Sequence, residues 1–174
     1  RFEEAVRFYS RATQVDSMNA MGFFNLGTSL YSFSRIDEAR QAFIRAKDLD
    51  ALRFRATEEF ENDLVSICLR HNVPMARVDS AFAGASPDGI LDNALFLEQL
   101  HPNVEGYFLM AKTFCRAIEH SGLLVPTSEW SRADELSDSL LMELSRVTEF
   151  DRAVGKVKVD LLKTFVAPAW IESL

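Results

Sequence analysis

A stretch of this chain repeats itself at an offset of 34 residues, and that limits the available folds more than any other feature. Arg1-Phe2-Glu3-Glu4-Ala5 aligns with Arg35-Ile36-Asp37-Glu38-Ala39. The same offset relates Tyr9 to Phe43, Ala12 to Ala46 and Asp16 to Asp50. In the complete copy, Phe23, Leu26, Gly27 and Leu30 recur at helical spacing, and after a break so do Ala39, Phe43 and Ala46. Small residues at Gly27, Ala39 and Ala46 let two helices approach closely, while the large ones fill the space between them.

This pattern resembles the tetratricopeptide repeat, a helix pair with that period. About one and a half units are expected: the second helix of one from Phe2 to Gln14, and a whole one from Ala20 to Leu49. Such units cannot bury their faces alone, and about three are normally needed. More repeats before Arg1, or capping by the following domain, are therefore expected. The resemblance implies a protein or peptide partner on the repeats, with Asn25 and Arg45 at groove positions.

After residue 50 the pattern changes. Thr57 reads as an N-cap, with Glu58, Glu59 and Glu61 suited to the positive helix start. Phe60, Leu64, Ile67, Cys68 and His71 recur at helical spacing and predict one buried stripe, ended by Asn72 and Pro74. Met75-Ala76-Arg77-Val78-Asp79 is a strand candidate for a parallel sheet. From Ala81 to Asn93, Gly84, Ser86, Pro87, Asp88 and Gly89 give the composition of a loop, with Ile90-Leu91 tucking inward.

The chemistry-bearing stretch follows: Leu95-Phe96-Leu97-Glu98-Gln99-Leu100-His101-Pro102-Asn103-Val104-Glu105-Gly106-Tyr107. Pro102 fixes the backbone directly after the histidine, and Asn103 is a good N-cap for an apolar helix ending near Gly122. Glu98 lies three residues before His101, where a carboxylate can orient the imidazole and stabilise its charged form. Glu98, His101, Pro102, Asn103 and Gly106 together resemble the last conserved block of the SGNH (GDSL-type) serine hydrolases. One departure stands: that family usually has aspartate where this chain has Glu98. The resemblance covers about residues 52–124 and implies the C-terminal part of a flavodoxin-like α/β domain. It also implies that His101 is the general base, that Glu98 orients it, and that the substrate is an ester of an acylated carbohydrate or lipid. Open α/β sheets carry their sites beyond the carboxyl ends of the strands, so Glu98 and His101 are expected on that rim.

The family's Gly-Asp-Ser nucleophile stretch and its two oxyanion blocks are absent. Val78-Asp79-Ser80-Ala81 has the Asp-Ser pair without the glycine, and Ser80 lies only 21 residues before His101. Ser80 and Ser86 therefore read as cap or turn residues. The resemblance places the nucleophile upstream of Arg1, with the repeats inserted between the two parts of the domain. The 174 residues alone are not expected to catalyse. The alternative is a non-catalytic repeat scaffold for protein–protein interaction, with His101 a helix-start residue.

The expected organisation is mixed: repeats over residues 1–50, part of an SGNH-type α/β domain over 51–125, and a helical extension over 126–174. In the extension, Ser128 or Ser131 caps a helix carrying Leu136, Leu140, Leu141 and Leu144. Thr148 starts another with Phe150, Val154, Val157, Leu161, Leu162 and Phe165, stopped by Pro168. These helices pack against the rest of the chain or offer a face to a partner. A formal charge of -7, from 26 acidic and 19 basic residues, argues against nucleic acid or an anionic membrane as a main partner. No apolar run approaches a membrane span and no signal peptide is visible, which leaves the compartment open. Cys68 and Cys115 are expected as buried free thiols. His71, His101 and His120 lack metal spacing, so neither metal nor cofactor is expected. His71 and His120 fall near helix C-termini, a favourable place for a partly positive imidazole.

Overall fold

A computed structural model describes residues 2–52, 54–98, 100–130 and 136–166. Eight helices are present among them: α1 (Phe2–Val15), α2 (Ala20–Tyr31), α3 (Ile36–Asp48), α4 (Glu58–Arg70), α5 (Val78–Ala85), α6 (Val104–Ser121), α7 (Asp138–Leu144) and α8 (Glu149–Val166). The chain divides into two compact units. One holds Arg1–Met75 with Asp88–Ile90, the other Ala76–Pro87 with Leu91–Leu174.

In the first unit α2 packs on α3 and α1 packs on α2. Val6, Leu30, Ala39 and Ala42 form the buried cluster, with Leu26, Phe43 and Ile90 against it. Gly27 is required by that packing, because a Cβ there would lie 2.7 Å from the Phe43 ring. Ile90 tucks inward as expected, while Leu91 is exposed. The 3₁₀ turn Pro87–Gly89 is held by the Tyr31 hydroxyl on Asp88 Oδ2 (3.2 Å) and by Arg40 Nη2 on the Asp88 carbonyl (2.6 Å). Lys47 ties α3 to the start of α4: its Nζ donates to the Ala56 carbonyl at 2.9 Å and to Glu58 Oε1 at 2.8 Å. Asp48 Oδ1 completes the joint by accepting from the Glu58 N–H at 3.1 Å.

Helix α4 starts and stops where expected. Thr57 caps it, His71 is its C-cap, and Asn72 takes a left-handed φ of 53°. Its apolar stripe is a correction, because Phe60, Leu64 and Ile67 are 61%, 41% and 49% exposed and no residue of α4 is buried. Periodicity records which residues share a face but not whether anything covers it. The thiols differ from expectation as well: Cys68 is half-buried and Cys115 exposed.

The second unit overturns the α/β expectation. Among the described residues there is no sheet, only an isolated antiparallel bridge between Phe96 and Pro102. The flavodoxin-like architecture, its parallel sheet and the catalytic rim are therefore set aside. Where a strand was expected over residues 75–79, α5 begins at Val78 and runs through Ala85 into the expected loop. The composition explains this. Ala81, Ala83 and Ala85 favour helix, and Asp79 suits the positive end of the first turn. An isolated short strand has no ladder partners to satisfy its backbone.

Helix α6 is capped by Asn103 at its start and by Gly122, in a left-handed conformation, at its end. His120 Nδ1 meets the Arg116 carbonyl at 2.7 Å in its last turn. Ser137, not Ser128, caps α7, and Ser128 lies in a 3₁₀ turn over Thr127–Glu129. The Thr148 hydroxyl accepts from the Asp151 N–H at 3.2 Å and begins α8. Lys112 reaches Asp138 at 2.6 Å and Arg152 reaches Glu105 at 2.7 Å, so ion pairs fasten α7 and α8 to α6. Expectations on Ser131, Pro168 and the Leu162 and Phe165 side chains lie outside the described residues. Among the described residues no helix is long and apolar enough to cross a membrane.

Candidate functional site: an acid–histidine loop

The loop before α6 rests on an apolar foot in the second unit. Phe82 of α5 and Leu95 are buried at 3% and 8% exposure, and the Phe82 and Phe96 rings meet with centroids 5.2 Å apart. From that foot the chain rises and returns. The Leu97 N–H donates to the His101 carbonyl at 2.8 Å, and the Asn103 N–H donates to the Leu95 carbonyl at 2.9 Å. Glu98 and His101 lie within this closed stretch.

The Glu98 carboxylate is engaged on both oxygens. Oε2 accepts from the Leu100 N–H at 3.0 Å, and Oε1 accepts from the His101 N–H at 2.9 Å. Oε1 also meets the His101 ring at Nδ1. Glu98 is therefore held by its own loop before it acts on the imidazole, and its side chain is 15% exposed against 63% for His101. A carboxylate partner assigns the neutral ring's proton to Nδ1 and leaves the Nε2 lone pair free. Among the described residues Nε2 has no hydrogen-bond partner, and the ring is open to solvent. A fixed tautomer with a free, accessible nitrogen is what proton transfer to or from a reacting hydroxyl requires.

The structure thus brings together the two residues that the sequence singles out, Glu98 and His101. It does not bring a nucleophile to them. Ser80 lies in the first turn of α5 with its hydroxyl on Asp79 Oδ2 at 3.2 Å, and Ser86 is buried, donating to the Phe82 carbonyl at 2.9 Å. Asp79 is held ionised by the Arg77 guanidinium, which outweighs the burial that pushes its pKa up. Both hydroxyls find their partners in α5, Asp79 for Ser80 and Phe82 for Ser86. Among the described residues no group of three His, Cys, Asp or Glu side chains could hold a metal ion.

The repeat unit carries a different feature that periodicity did not reveal. A groove of about 1030 Å³ is floored by Phe23, Leu26 and Leu30 of α2, between walls from α1 and α3. Arg7 and Arg11 line one wall and form no ion pair with the described residues, whereas Asp37 and Glu38 on the other are engaged by Arg40 and Arg35. Neither expected groove residue lines it. The Arg45 guanidinium instead lies over the Phe23 ring at 5.9 Å, and the Asn25 carbonyl accepts from the Ser29 hydroxyl at 2.8 Å.

No family model matches this chain, and no curated protein and no solved structure matches it either.

Proposed function

We propose that Glu98 and His101 are the acid–base pair of a serine ester hydrolase whose nucleophile lies outside these 174 residues. One observation carries this reading: Glu98, anchored by two backbone N–H groups, meets His101 at Nδ1 and leaves Nε2 free and exposed. In this role Nε2 takes the proton of the serine hydroxyl as it attacks the ester carbonyl, then returns it to the leaving alcohol. Glu98 holds the Nδ1–H tautomer and stabilises the imidazolium that forms between the two steps. The reading keeps the chemistry of the SGNH resemblance without its α/β architecture. Esters of acylated carbohydrates or lipids are the proposed substrate class.

A fluorophosphonate probe on the protein at its natural length tests this directly. A single labelled serine is expected, with labelling lost in His101→Ala and slowed in Glu98→Gln. Equal labelling of all three forms, or none of the wild type, rejects the reading.

A second reading concerns the repeats, which resemble tetratricopeptide units, as a scaffold for a protein or peptide. The observation favouring it is the apolar-floored groove with two uncommitted arginines on one wall. An apolar peptide carrying carboxylates fits that lining. Arg7→Glu/Arg11→Glu is expected to abolish capture of such peptides from a random library, and unchanged selection would count against it. The two readings are compatible in one protein.

A further inference from the structure

Around the acid–histidine pair, two residues do more than begin a helix. Asn103 uses all of its side-chain amide. Its Oδ1 accepts from the Gly106 N–H at 2.9 Å, as an N-cap should. Its Nδ2 donates to the Ala94 carbonyl at 2.9 Å, with the Asn93 carbonyl at 3.4 Å. One side chain thus ties the first turn of α6 to the ascending arm of the loop. Gly106 makes that approach sterically feasible. A Cβ there would lie 2.3 Å from the Leu95 carbonyl oxygen and 2.8 Å from Pro102 Cβ. The nearest obstacle is backbone, which cannot swing aside as a side-chain tip can. Leu95 cannot retreat cheaply either, because its side chain is buried in the loop's foot. Gly106 has no positive φ, so its role is the close approach and not its conformational freedom.

We propose that Asn103 and Gly106 are positioning residues that clamp the base of the loop and so hold the His101 ring on the Glu98 carboxylate. The catalytic meaning rests on the hydrolase reading above; the positioning itself does not. If the base of the loop opens, the Leu97–His101 and Asn103–Leu95 backbone bonds lengthen and the spacing between Glu98 and the ring is no longer set. A ring in free solution populates both neutral tautomers, so the clamp has a spectroscopic signature independent of turnover.

The test is nitrogen-15 NMR of the neutral His101 ring in the 174-residue protein. Wild type is expected to show one neutral tautomer, protonated at Nδ1. Asn103→Ser keeps a helix-capping oxygen but loses the donation to Ala94, and Gly106→Ala forces the arms apart. Both are expected to shift His101 to a mixture, with α6 still helical by its amide shifts. Gly155→Ala, whose Cβ would meet nothing within 4 Å, is the control and should leave His101 unchanged. In the natural-length protein the two variants should lower kcat at least tenfold with little change in KM. If Gly106→Ala fails to fold, Asn103→Ser decides alone. A wild type already mixed between tautomers, or an Asn103→Ser protein with the wild-type tautomer, overturns the clamp. Absent turnover in wild type, with the tautomer shifts as expected, would reject the hydrolase reading and leave the clamp standing.

Discussion

The repeat unit and the acid–histidine loop are held by different physics. In the repeat, order comes from interdigitation: alanines and a glycine admit Phe43 and Leu30, and the pieces of the core are interchangeable in kind if not in size. In the loop, order comes from a few directed hydrogen bonds and one missing Cβ, on a foot of two buried apolar residues, Phe82 and Leu95. The first arrangement is tuned by volume and close approach. The second holds two side chains in one geometry while leaving a ring nitrogen free, which packing alone does not achieve.

If that contrast is right, the largest stability effects belong to the repeat. Phe43→Ala should destabilise by about 2–4 kcal/mol in urea unfolding, as large-to-small changes against a core do. His101→Ala, at an exposed ring, should stay within about 0.5 kcal/mol of wild type. Comparable losses from both would erase the distinction.

Lys47 offers a polar contact inside the packed unit. Burial works against its charge, but the Glu58 hydrogen bond and the charges of Glu61, Glu58 and Asp48 prevail, and its pKa is raised. Lys47→Met leaves those carboxylates without their cation, at a cost of about 2 kcal/mol near neutral pH. A raised folded pKa means this stabilisation is fully present below the ordinary lysine range, about 10.4, and is lost as pH climbs through the folded value. The gap between Lys47→Met and wild type should therefore be flat from neutral pH to about 10 and close above it. A gap that persists at higher pH would assign the loss to packing of the lysine stem.

Gly27→Ala sharpens the packing side. Crowding the Phe43 ring costs about 1–3 kcal/mol, while replacing glycine in a helix returns about 1, so a net loss near 1 is expected. Adding Phe43→Leu to that variant should recover part of it. The smallest effects have the opposite sign. Gly84→Ala and Gly155→Ala, where a Cβ meets nothing, should each stabilise by about 0.5–1 kcal/mol in thermal melts.

The same contrast explains what could be read from the sequence. Thr57, Asn103 and Gly122 announced their caps because a cap is made within one turn of chain. Glu98 and His101 announced their pairing because three residues of loop suffice to close it. The helix over Val78–Ala85 was misread as strand-then-loop because a short apolar run with a glycine has no decisive period. The exposure of Phe60, Leu64 and Ile67 was illegible because it depends on what covers a face, not on the face. The second duty of Asn103 and the necessity of Gly106 depend on where the Ala94 and Leu95 carbonyls stand, which no local pattern specifies. Lys47 was overlooked for a similar reason, since three of its partners lie beyond the turn after α3.

The role proposed for His101, oriented by Glu98, is to move a proton in ester cleavage. The most direct measurement is hydrolysis of 4-nitrophenyl acetate by the natural-length protein and its His101→Ala variant, with melting curves for both. Wild type is expected to turn over, with a kcat about 10²–10⁴-fold lower in the variant and superimposable melts. Equal turnover in the two proteins would contradict it.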